Sequence, residues 1–266
     1  MACYDEQDFQ LGKIIYNGLS EKKGVYVLSY GGGINSSALF FYLINNDKPI
    51  DLILFADTGE ELESTYKSVV DIKKICVDKN IKFVTVRSGH GTLYDYYFKK
   101  KAVPSMMFRD CTTKFKVIPI RKYLRTVYSK DTHFFMYIGI CYDEKKRVSK
   151  SDVKYMNYIY PFVYDEVTRF DNEVILKEEK FVAFKSGCKG CIYNKKKNWI
   201  LMFQQDKNEF NRWLKLEENN SGFPRVLLNG TFPLRLIQDN WKNQKTLGSF
   251  CDVKETCQNY QGGCFL

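Results

Sequence analysis

The chain has 266 residues, of which 44% are hydrophobic and 16% aromatic, and this composition argues for a folded core and against a disordered protein. No apolar run approaches the length of a membrane span, and the acidic first residues are unlike a secretory signal. We therefore expect a cytoplasmic protein with no membrane partner. The net charge of +10 favours an anionic partner such as a nucleotide or a nucleic acid, although a lysine-rich composition alone would also produce it.

A glycine-rich stretch follows an apolar run at residues 25–30 and precedes polar residues that open a helix. Consecutive glycines remove the Cβ atoms that would keep a phosphate away, and they allow several N–H groups to face one anion. The N-terminus of the following helix adds partial positive charge. We interpret the stretch as a phosphate-binding turn, with a purely structural turn as the alternative. The candidate ligands are Ser29, Gly31, Gly32, Gly33, Ser36 and Ser37.

Strand-like and helix-like segments alternate through residues 1–180. Strands are predicted at 25–30, 51–57, 82–87, 133–140 and 157–163, and helices at 5–18, 36–43, 60–80, 119–130 and 165–180. Such alternation predicts an open parallel sheet with helices on both faces and right-handed crossovers. We therefore predict a nucleotide-binding α/β domain over residues 1–180.

The polar residues Asp57, Thr58 and Gly59 directly follow the apolar core of the second strand. Because ligands of open α/β sheets bind at the carboxyl ends of the strands, these residues are candidate nucleotide contacts. The alternative is that Asp57 only caps the next helix. Residues 94–101 are basic and aromatic, and we interpret them as a short amphipathic helix that packs its tyrosines, with a mobile segment over the substrate as the alternative.

Past residue 180 the composition shifts towards cysteine. The chain has nine cysteines, which in a cytoplasmic protein indicate metal, cluster or redox chemistry more than structural disulfides. An amphipathic helix is predicted at 192–218, with its aromatic residues in the core. We predict a second region over residues 181–266 that is cysteine-rich and mostly helical.

Cys188 and Cys191 are two residues apart with glycines beside them, a spacing typical of a metal or redox site. A closed metal site needs further ligands, for which Cys264 is a candidate and Cys251 or Cys257 a substitute. Zinc and an iron–sulfur cluster both accept thiolate ligands, so both remain open. A redox disulfide between Cys188 and Cys191 is the third possibility.

Four segments carry distinctive combinations of residues, at 31–36, 55–66, 111–119 and 139–147. In this order they resemble motifs of the PP-loop adenine nucleotide alpha hydrolases and, within that superfamily, of the phosphoadenosine phosphosulfate (PAPS) reductases. The motifs are the Ser-Gly-Gly-x-Asp-Ser pyrophosphate loop, the Asp-Thr-Gly-x-x-x-x-Glu-Thr-Tyr segment, the Cys-x-x-x-x-Lys-x-x-Pro segment and the Gly-x-x-x-x-Glu-x-x-Arg loop. The first departs at two positions, with Gly31 in place of Ser and Asn35 in place of Asp.

The resemblance implies a PP-loop (HUP-like) fold and a nucleotide-dependent enzyme. Asn35, Ser36 and Asp57 would be catalytic, and Arg147 would hold a phosphate or sulfate group together with the glycine turn. ATP would be attacked at its α-phosphate, giving an adenylated substrate and pyrophosphate. Mg²⁺ would neutralise the leaving pyrophosphate.

The resemblance also implies a [4Fe–4S] cluster, with Zn²⁺ as the alternative, whose ligands would be Cys111, Cys188, Cys191 and Cys264. Asp110 stands where some members of the family have a second adjacent cysteine. Sulfur chemistry at the cluster would follow, with a nucleic acid as a possible substrate and a sulfur-donor protein or a thiol reductant as a possible partner. Two alternatives are a reductase of PAPS or adenosine phosphosulfate with Cys264 as nucleophile, and a non-catalytic nucleotide or nucleic-acid binding protein with a structural metal.

Overall fold

The computed structural model describes residues 4–19, 22–106, 109–222, 226–227 and 232–243, the last range with side chains up to residue 241. Within these residues the chain forms two compact units. The first unit comprises the described chain up to Ala56 together with Glu63–Val86 and Ile120–Ser186. The second unit comprises Asp57–Leu62, Arg87–Pro119 and the described chain from Gly187 onward.

The bounds of the elements are as follows. The strands are β1 (Val25–Tyr30), β2 (Leu52–Asp57), β3 (Lys82–Arg87), β4 (Phe134–Ile138) and β5 (Met156–Ile159). The helices of the first part of the chain are α1 (Glu6–Asn17), α2 (Ile34–Asn45), α3 (Glu63–Asp78), α4 (Leu93–Lys99), α5 (Asp110–Thr112) and α6 (Ile118–Val127), with a π-helical turn at Thr113–Val117. A 3₁₀ turn at Tyr142–Arg147 is followed by α7 (Pro161–Tyr164), α8 (Arg169–Glu178), α9 (Lys196–Gln205), α10 (Lys207–Glu218) and α11 (Leu234–Asn243).

A five-stranded parallel sheet organises the first unit, with the strand order β3-β2-β1-β4-β5. β1 lies in the middle and runs parallel to both of its neighbours, so that Ser29 is paired with Leu54 on one side and Ile138 on the other. The carboxyl ends of β1 and β4 therefore lie side by side. The glycine turn after β1 and the residues after β4 share this edge, where ligands of such sheets bind.

Alternate residues of the sheet enter two separate hydrophobic clusters. Tyr26 and Leu28 of β1 pack in the cluster that contains residues of α1, α2, α3, α7 and α8. Val27, between them, packs in the other cluster, which contains Ile120 and Leu124 of α6. Because successive side chains of a strand point to opposite faces, helices cover both faces of the sheet, as the sequence predicts.

The second unit has its own core, made mostly of aromatic and aliphatic side chains of α4, α9 and α10. Trp199 of α9 and Trp213 of α10 are both fully buried. Tyr94, Tyr96 and Tyr97 of α4 are also buried. The interpretation of residues 94–101 as a short helix that packs its tyrosines is thus confirmed for the part of the segment that α4 covers.

Several predicted boundaries differ from the structure. The predicted strand at 157–163 was wrong in its second half, because β5 ends at Ile159 and Pro161 begins α7. The predicted helix at 192–218 was wrong as one element, because it divides at Asp206, whose side chain accepts a hydrogen bond from Glu209 N and caps α10. The sequence predicts one domain boundary at residue 180, whereas the two units alternate along the chain.

In the described part of the chain, no helix is both long and apolar enough to cross a membrane.

Candidate functional site

The glycine turn between β1 and α2 is shaped by close packing within the first unit. Gly32 has a φ of +72°, and a Cβ there would lie 2.6 Å from Thr65 Cγ2. A Cβ on Gly33 would lie 2.6 Å from Ser186 Oγ. At Gly31 the nearest atoms would be 3.8 Å away, an ordinary contact. Protein packing therefore requires glycine at 32 and 33, whereas Gly31 leaves open space.

The backbone donors of this turn are only partly used by the protein. Ser36 Oγ accepts from Gly33 N at 3.2 Å and donates to Gly33 O at 3.1 Å, which closes the start of α2. Ile34 N donates to Phe184 O at 3.1 Å. The N–H groups of Asn35 and Ser36 have no protein acceptor among the described residues. These two donors, at the positive end of α2, remain available to an anion.

A cavity of about 300 Å³ lies against this turn, at the small end of the range for ligand pockets. Of the residues predicted from the sequence, it is lined by Ser29, Gly31, Gly33, Asn35, Ser36 and Arg147. Gly32 and Ser37 do not line it. Ser37 is fully buried, and its hydroxyl is hydrogen-bonded to Tyr30 Oη at 2.9 Å. The structure therefore brings together most, but not all, of the predicted phosphate ligands.

Sequence reasoning did not select four further residues with charged or hydroxyl side chains that line the cavity, which are Glu144, Arg169, Lys185 and Ser186. Glu144 is the glutamate of the Gly-x-x-x-x-Glu-x-x-Arg segment, so its motif was a usable signal. Arg169 is the first residue of α8, and Lys185 lies far along the chain from the glycine turn. Only the folded chain places these two next to the turn.

The charges around the cavity favour an anion. Arg147, Arg169 and Lys185 are opposed by the carboxylate of Glu144. Glu144 Oε2 accepts from Asn35 Nδ2 at 3.1 Å, and Glu144 Oε1 accepts from Arg147 Nη1. Three cations, one carboxylate and two unused backbone N–H groups fit a ligand with more than one phosphate oxygen.

A magnesium ion fits the protein side of this cavity less well. Mg²⁺ in proteins is bound by carboxylates together with the phosphates of the ligand. Among the described residues that line the cavity, Glu144 supplies the carboxylate, and both of its oxygens are already bonded to Asn35 and Arg147. The described residues therefore do not form a Mg²⁺ site of their own, and such an ion would enter with the nucleotide.

The three residues predicted after β2 belong to the second unit, where protein groups bind them. Asp57 is 3% exposed, and its Oδ2 accepts from Arg87 Nε at 2.9 Å and from Nη2 at 2.7 Å. Its Oδ1 accepts from Gly59 N at 2.8 Å. Thr58 Oγ1 donates to Glu61 Oε1 at 3.0 Å. The clearest role of this segment in the described chain is to hold a tight turn.

Cys188 lies in a polar cluster of the second unit. Its thiol donates to Glu61 Oε1 at 3.6 Å and lies 3.5 Å from Thr58 Oγ1. Glu61 is fully buried and paired with Lys116 Nζ at 3.2 Å. Burial and the nearby Glu61 carboxylate raise the pKa of the Cys188 thiol, and Lys116 acts in the opposite direction. Neither Glu61 nor Lys116 was selected from the sequence as a site residue.

The three predicted metal ligands in the described chain lie in the same unit and influence one another. Burial raises the pKa of Cys111, and Cys191 adds to this increase. Cys191 also contributes to the raised pKa of Cys188. Within the described residues, however, no group of three or more His, Cys, Asp or Glu side chains is arranged to hold a metal ion. Cys251, Cys257 and Cys264 lie outside the described residues, so the cluster stays a prediction.

Comparison with known proteins agrees with the geometry of the first unit. Residues 25–157, half of the chain, match the family model of the phosphoadenosine phosphosulfate reductase domain. The uncharacterized protein MJ0066 of Methanocaldococcus jannaschii is 30% identical over 139 residues, which are 52% of this chain and 27% of that protein. The chain thus spans about a quarter of that relative's length. The family match contains all four motifs and the glycine turn, and the chain belongs to the phosphoadenosine phosphosulfate reductase domain family, within the PP-loop adenine nucleotide alpha hydrolase-like superfamily.

Proposed function

We propose that the chain is a nucleotide-dependent enzyme that binds the phosphates of ATP in the cavity of the first unit and cleaves ATP to AMP and pyrophosphate. The observation that carries the proposal is the glycine turn itself. It presents the N–H groups of Asn35 and Ser36 to a cavity that Arg147, Arg169 and Lys185 also line. Membership of a nucleotide-binding, sulfonucleotide-related enzyme family supports the nucleotide as ligand, and the cleavage of ATP is our proposal.

In the proposed reaction, a nucleophilic group of the substrate attacks the α-phosphorus of ATP. The bond from this phosphorus to the bridging oxygen breaks, and pyrophosphate leaves with that oxygen. The proton of the nucleophile passes to solvent. AMP is released when a sulfur nucleophile, or water in its absence, displaces it from the adenylated substrate. The developing negative charge on pyrophosphate is stabilised by the backbone donors at the start of α2 and by the cations of the cavity.

Asn35 has a positioning role in this proposal. Its side-chain amide donates to Glu144, and an amide does not take up a proton at physiological pH. Ser36 likewise holds the turn through Gly33. Catalysis would therefore rest on binding and electrostatic stabilisation by the turn rather than on a side-chain base.

We further propose that the adenylated substrate is used for sulfur chemistry, with a nucleic acid as one candidate substrate and a sulfur-donor protein or thiol as a candidate partner. The net charge of +10 supports an anionic macromolecule. A [4Fe–4S] cluster on Cys111, Cys188, Cys191 and Cys264 is kept as a separate prediction, since the described residues form no metal centre as arranged. Iron and acid-labile sulfide, measured after anaerobic purification, test it, and a colourless zinc-loaded protein would contradict it.

The decisive experiment is product analysis after incubation with ATP and, separately, with PAPS and a thiol reductant that supplies the two electrons of sulfite formation. AMP and pyrophosphate from ATP support the proposed reaction. Sulfite from PAPS supports the second candidate, a sulfonucleotide reductase, which is the reaction that the name of the matched family suggests. Cys264 as its nucleophile stays a prediction. Binding of nucleotide without either product would show a non-catalytic binding protein, and the proposed reaction would then be wrong.

A further inference from the structure

We propose that Arg169 and Lys185, rather than Arg147, bind the terminal oxyanion of the nucleotide. This inference rests on the proposed function, because it names the residues that recognise the charged end of the same ligand. The oxyanion is the terminal phosphate of ATP or the sulfate group of a sulfonucleotide, which share their geometry and negative charge. The sequence motif suggests Arg147 as the residue that binds the oxyanion, whereas the contacts in the first unit favour Arg169 and Lys185.

Arg147 is already engaged by the protein. It forms an ion pair with Glu144 three residues earlier in the same 3₁₀ turn. Glu144 is in turn held by Asn35 Nδ2 at 3.1 Å. To bind an oxyanion, Arg147 would have to leave Glu144, and the carboxylate would then repel the arriving ligand from a few ångströms away. The ion pair of Arg147 and Glu144 therefore lines the cavity but contributes little net charge to it.

Arg169 is placed at the cavity through its backbone, so its side chain is left for a ligand. Its N–H donates to Asp143 Oδ1 at 3.0 Å, and the preceding Thr168 caps α8 in a reciprocal pair with Asp171. Tyr142 N donates to Val167 O at 2.9 Å. Within the described chain the guanidinium of Arg169 forms no ion pair.

Lys185 is placed by the residues on both sides of it. Phe184 O accepts from Ile34 N at 3.1 Å, at the first residue of α2. Ser186 lies so close to Gly33 that a Cβ on the glycine would be 2.8 Å from Ser186 N. The segment 184–186 is thus fastened to the glycine turn at two points. Lys185, between them, lines the cavity without an ion pair in the described part of the protein.

These contacts give the cavity two cations whose positions depend on backbone anchors and whose side chains form no ion pair among the described residues. The oxyanion of a ligand can form ion pairs with both cations, whereas adenosine has no charged group and can form neither. The specificity that follows is for the charged end of the nucleotide. The substitutions Arg169→Gln and Lys185→Gln remove the charges while leaving every backbone anchor in place.

The test is isothermal titration of ATP, PAPS, adenosine and inorganic pyrophosphate into the full chain and its variants. Arg169→Gln and Lys185→Gln are each expected to weaken ATP or PAPS and pyrophosphate about tenfold or more, and to leave adenosine unchanged. The double substitution Arg147→Gln and Glu144→Gln removes both charges of the pair, and it is expected to change these affinities by less than about threefold. The matched control is Lys177→Gln, an exposed residue of the same helix α8 that removes the same charge away from the cavity. Circular dichroism checks that each variant is folded.

Equal losses in Arg169→Gln and in the double variant that lacks both Arg147 and Glu144, or unchanged pyrophosphate affinity in the Arg169 and Lys185 variants, would overturn the inference. The ATP and PAPS titrations show which of the two sources supplies the oxyanion. If the parent protein binds pyrophosphate in a manner that depends on Arg169 and Lys185 but binds no nucleotide, the inference stands and the proposed function fails. If nucleotides bind and the substitutions have no effect, the proposed function stands and the inference fails.

Discussion

The side-chain amide of Asn35 donates a hydrogen bond to Glu144 Oε2 at 3.1 Å, across 109 residues of sequence. At this position the PP-loop motif that the chain resembles has an aspartate. An aspartate here would face Glu144 with a second carboxylate and no donor. Asn35 therefore supplies the hydrogen-bond donor that Glu144, a residue of a different motif, accepts from. The replacement of the motif's aspartate by asparagine removes one negative charge and also creates this hydrogen-bonded pair.

The first prediction follows from this pair. Asn35→Asp is expected to lower the free energy of unfolding by roughly 1 kcal/mol, because a hydrogen bond is replaced by charge repulsion. ATP binding should also weaken, since a negative charge is added beside the phosphates. Thermal unfolding and titration with ATP measure the two effects.

Glu144→Gln supplies the control for this prediction. Alone, it removes a negative charge from the cavity, so ATP binding should strengthen several-fold. Combined with Asn35→Asp, it should restore most of the lost stability and affinity, because the double variant again pairs one carboxylate with one amide. Additive effects of the two substitutions would show that the residues are not coupled.

The second prediction is that alanine at position 33 costs more stability than alanine at position 31 of the glycine turn. Gly33→Ala is expected to destabilise the protein by about 1–3 kcal/mol, since its Cβ would meet Ser186 Oγ at 2.6 Å. Gly31→Ala is the matched control, because its Cβ would find 3.8 Å of space and ordinary contacts. Chemical denaturation compares the two. If both variants lost the same stability, the close contact between position 33 and Ser186 would not be the reason that glycine is required there.

The third prediction concerns Ser37, which the sequence suggests as a phosphate ligand. Its hydroxyl pairs with Tyr30 Oη in the core and does not line the cavity. Ser37→Ala should therefore cost about 1 kcal/mol of stability and leave ATP affinity unchanged. Tyr30→Phe in the same background also removes the donation from Tyr30 Oη to Ser68 O at 3.4 Å, so it should cost up to about 1 kcal/mol more. A loss of ATP affinity in the folded Ser37→Ala variant would show that Ser37 contributes to ATP binding, and the prediction would be wrong.

The fourth prediction concerns the glycine beside Cys191. A Cβ on Gly190 would lie 2.1 Å from Trp213 Cζ3, and Trp213 is fully buried. Gly190→Ala should destabilise the second unit by about 1–3 kcal/mol or more and alter the near-ultraviolet signal of its tryptophans. Gly187→Ala, with its nearest contact at 3.9 Å, is the matched control. An unaltered tryptophan signal in Gly190→Ala would contradict the observed packing.

The fifth prediction uses the buried thiols of the first unit. Burial raises the pKa of Cys76 to about 11 and that of Cys141 to about 12, with Glu144 adding to the latter. A pKa of about 11 leaves about one thiolate in a thousand at pH 8, so both residues should resist alkylation in the native state and react after unfolding. Mass spectrometry of iodoacetamide-treated protein locates the modified residues. Rapid native alkylation of Cys76 would count against the packing of α3.

Most elements of the first unit were predictable because their signals lie in neighbouring residues, with the end of β5 and the short helix α7 as exceptions. The buried run Leu52–Asp57 and the glycine turn after β1 carry their signal within a few positions. The fold class and the location that we propose for the anion site followed from these local patterns, and the family match confirms the fold class. Ser29, Gly31 and Ser36 could be placed at the cavity for the same reason.

The remaining features depend on contacts between distant residues. Lys185 reaches the cavity because Phe184 O accepts a hydrogen bond from Ile34 N, 150 positions earlier in the chain. The residues around Lys185 contain no local pattern that predicts this hydrogen bond. The second unit likewise joins separate segments through Leu62 N to Gly187 O at 2.9 Å and Lys189 N to Glu60 O at 2.7 Å. A single boundary near residue 180 was the simplest prediction from composition, which contains no information on such pairings.

Gly139 carries a constraint that the glycine turn does not reveal. A Cβ at this position would lie 3.0 Å from Asn35 O and 3.3 Å from Ser36 N, so any other residue would cover with carbon a backbone donor of the proposed anion site. Binding of an anion at the turn would therefore require glycine at the end of the neighbouring strand as well. A chain that keeps the whole glycine turn but has a larger residue at this position is not expected to bind an anion there.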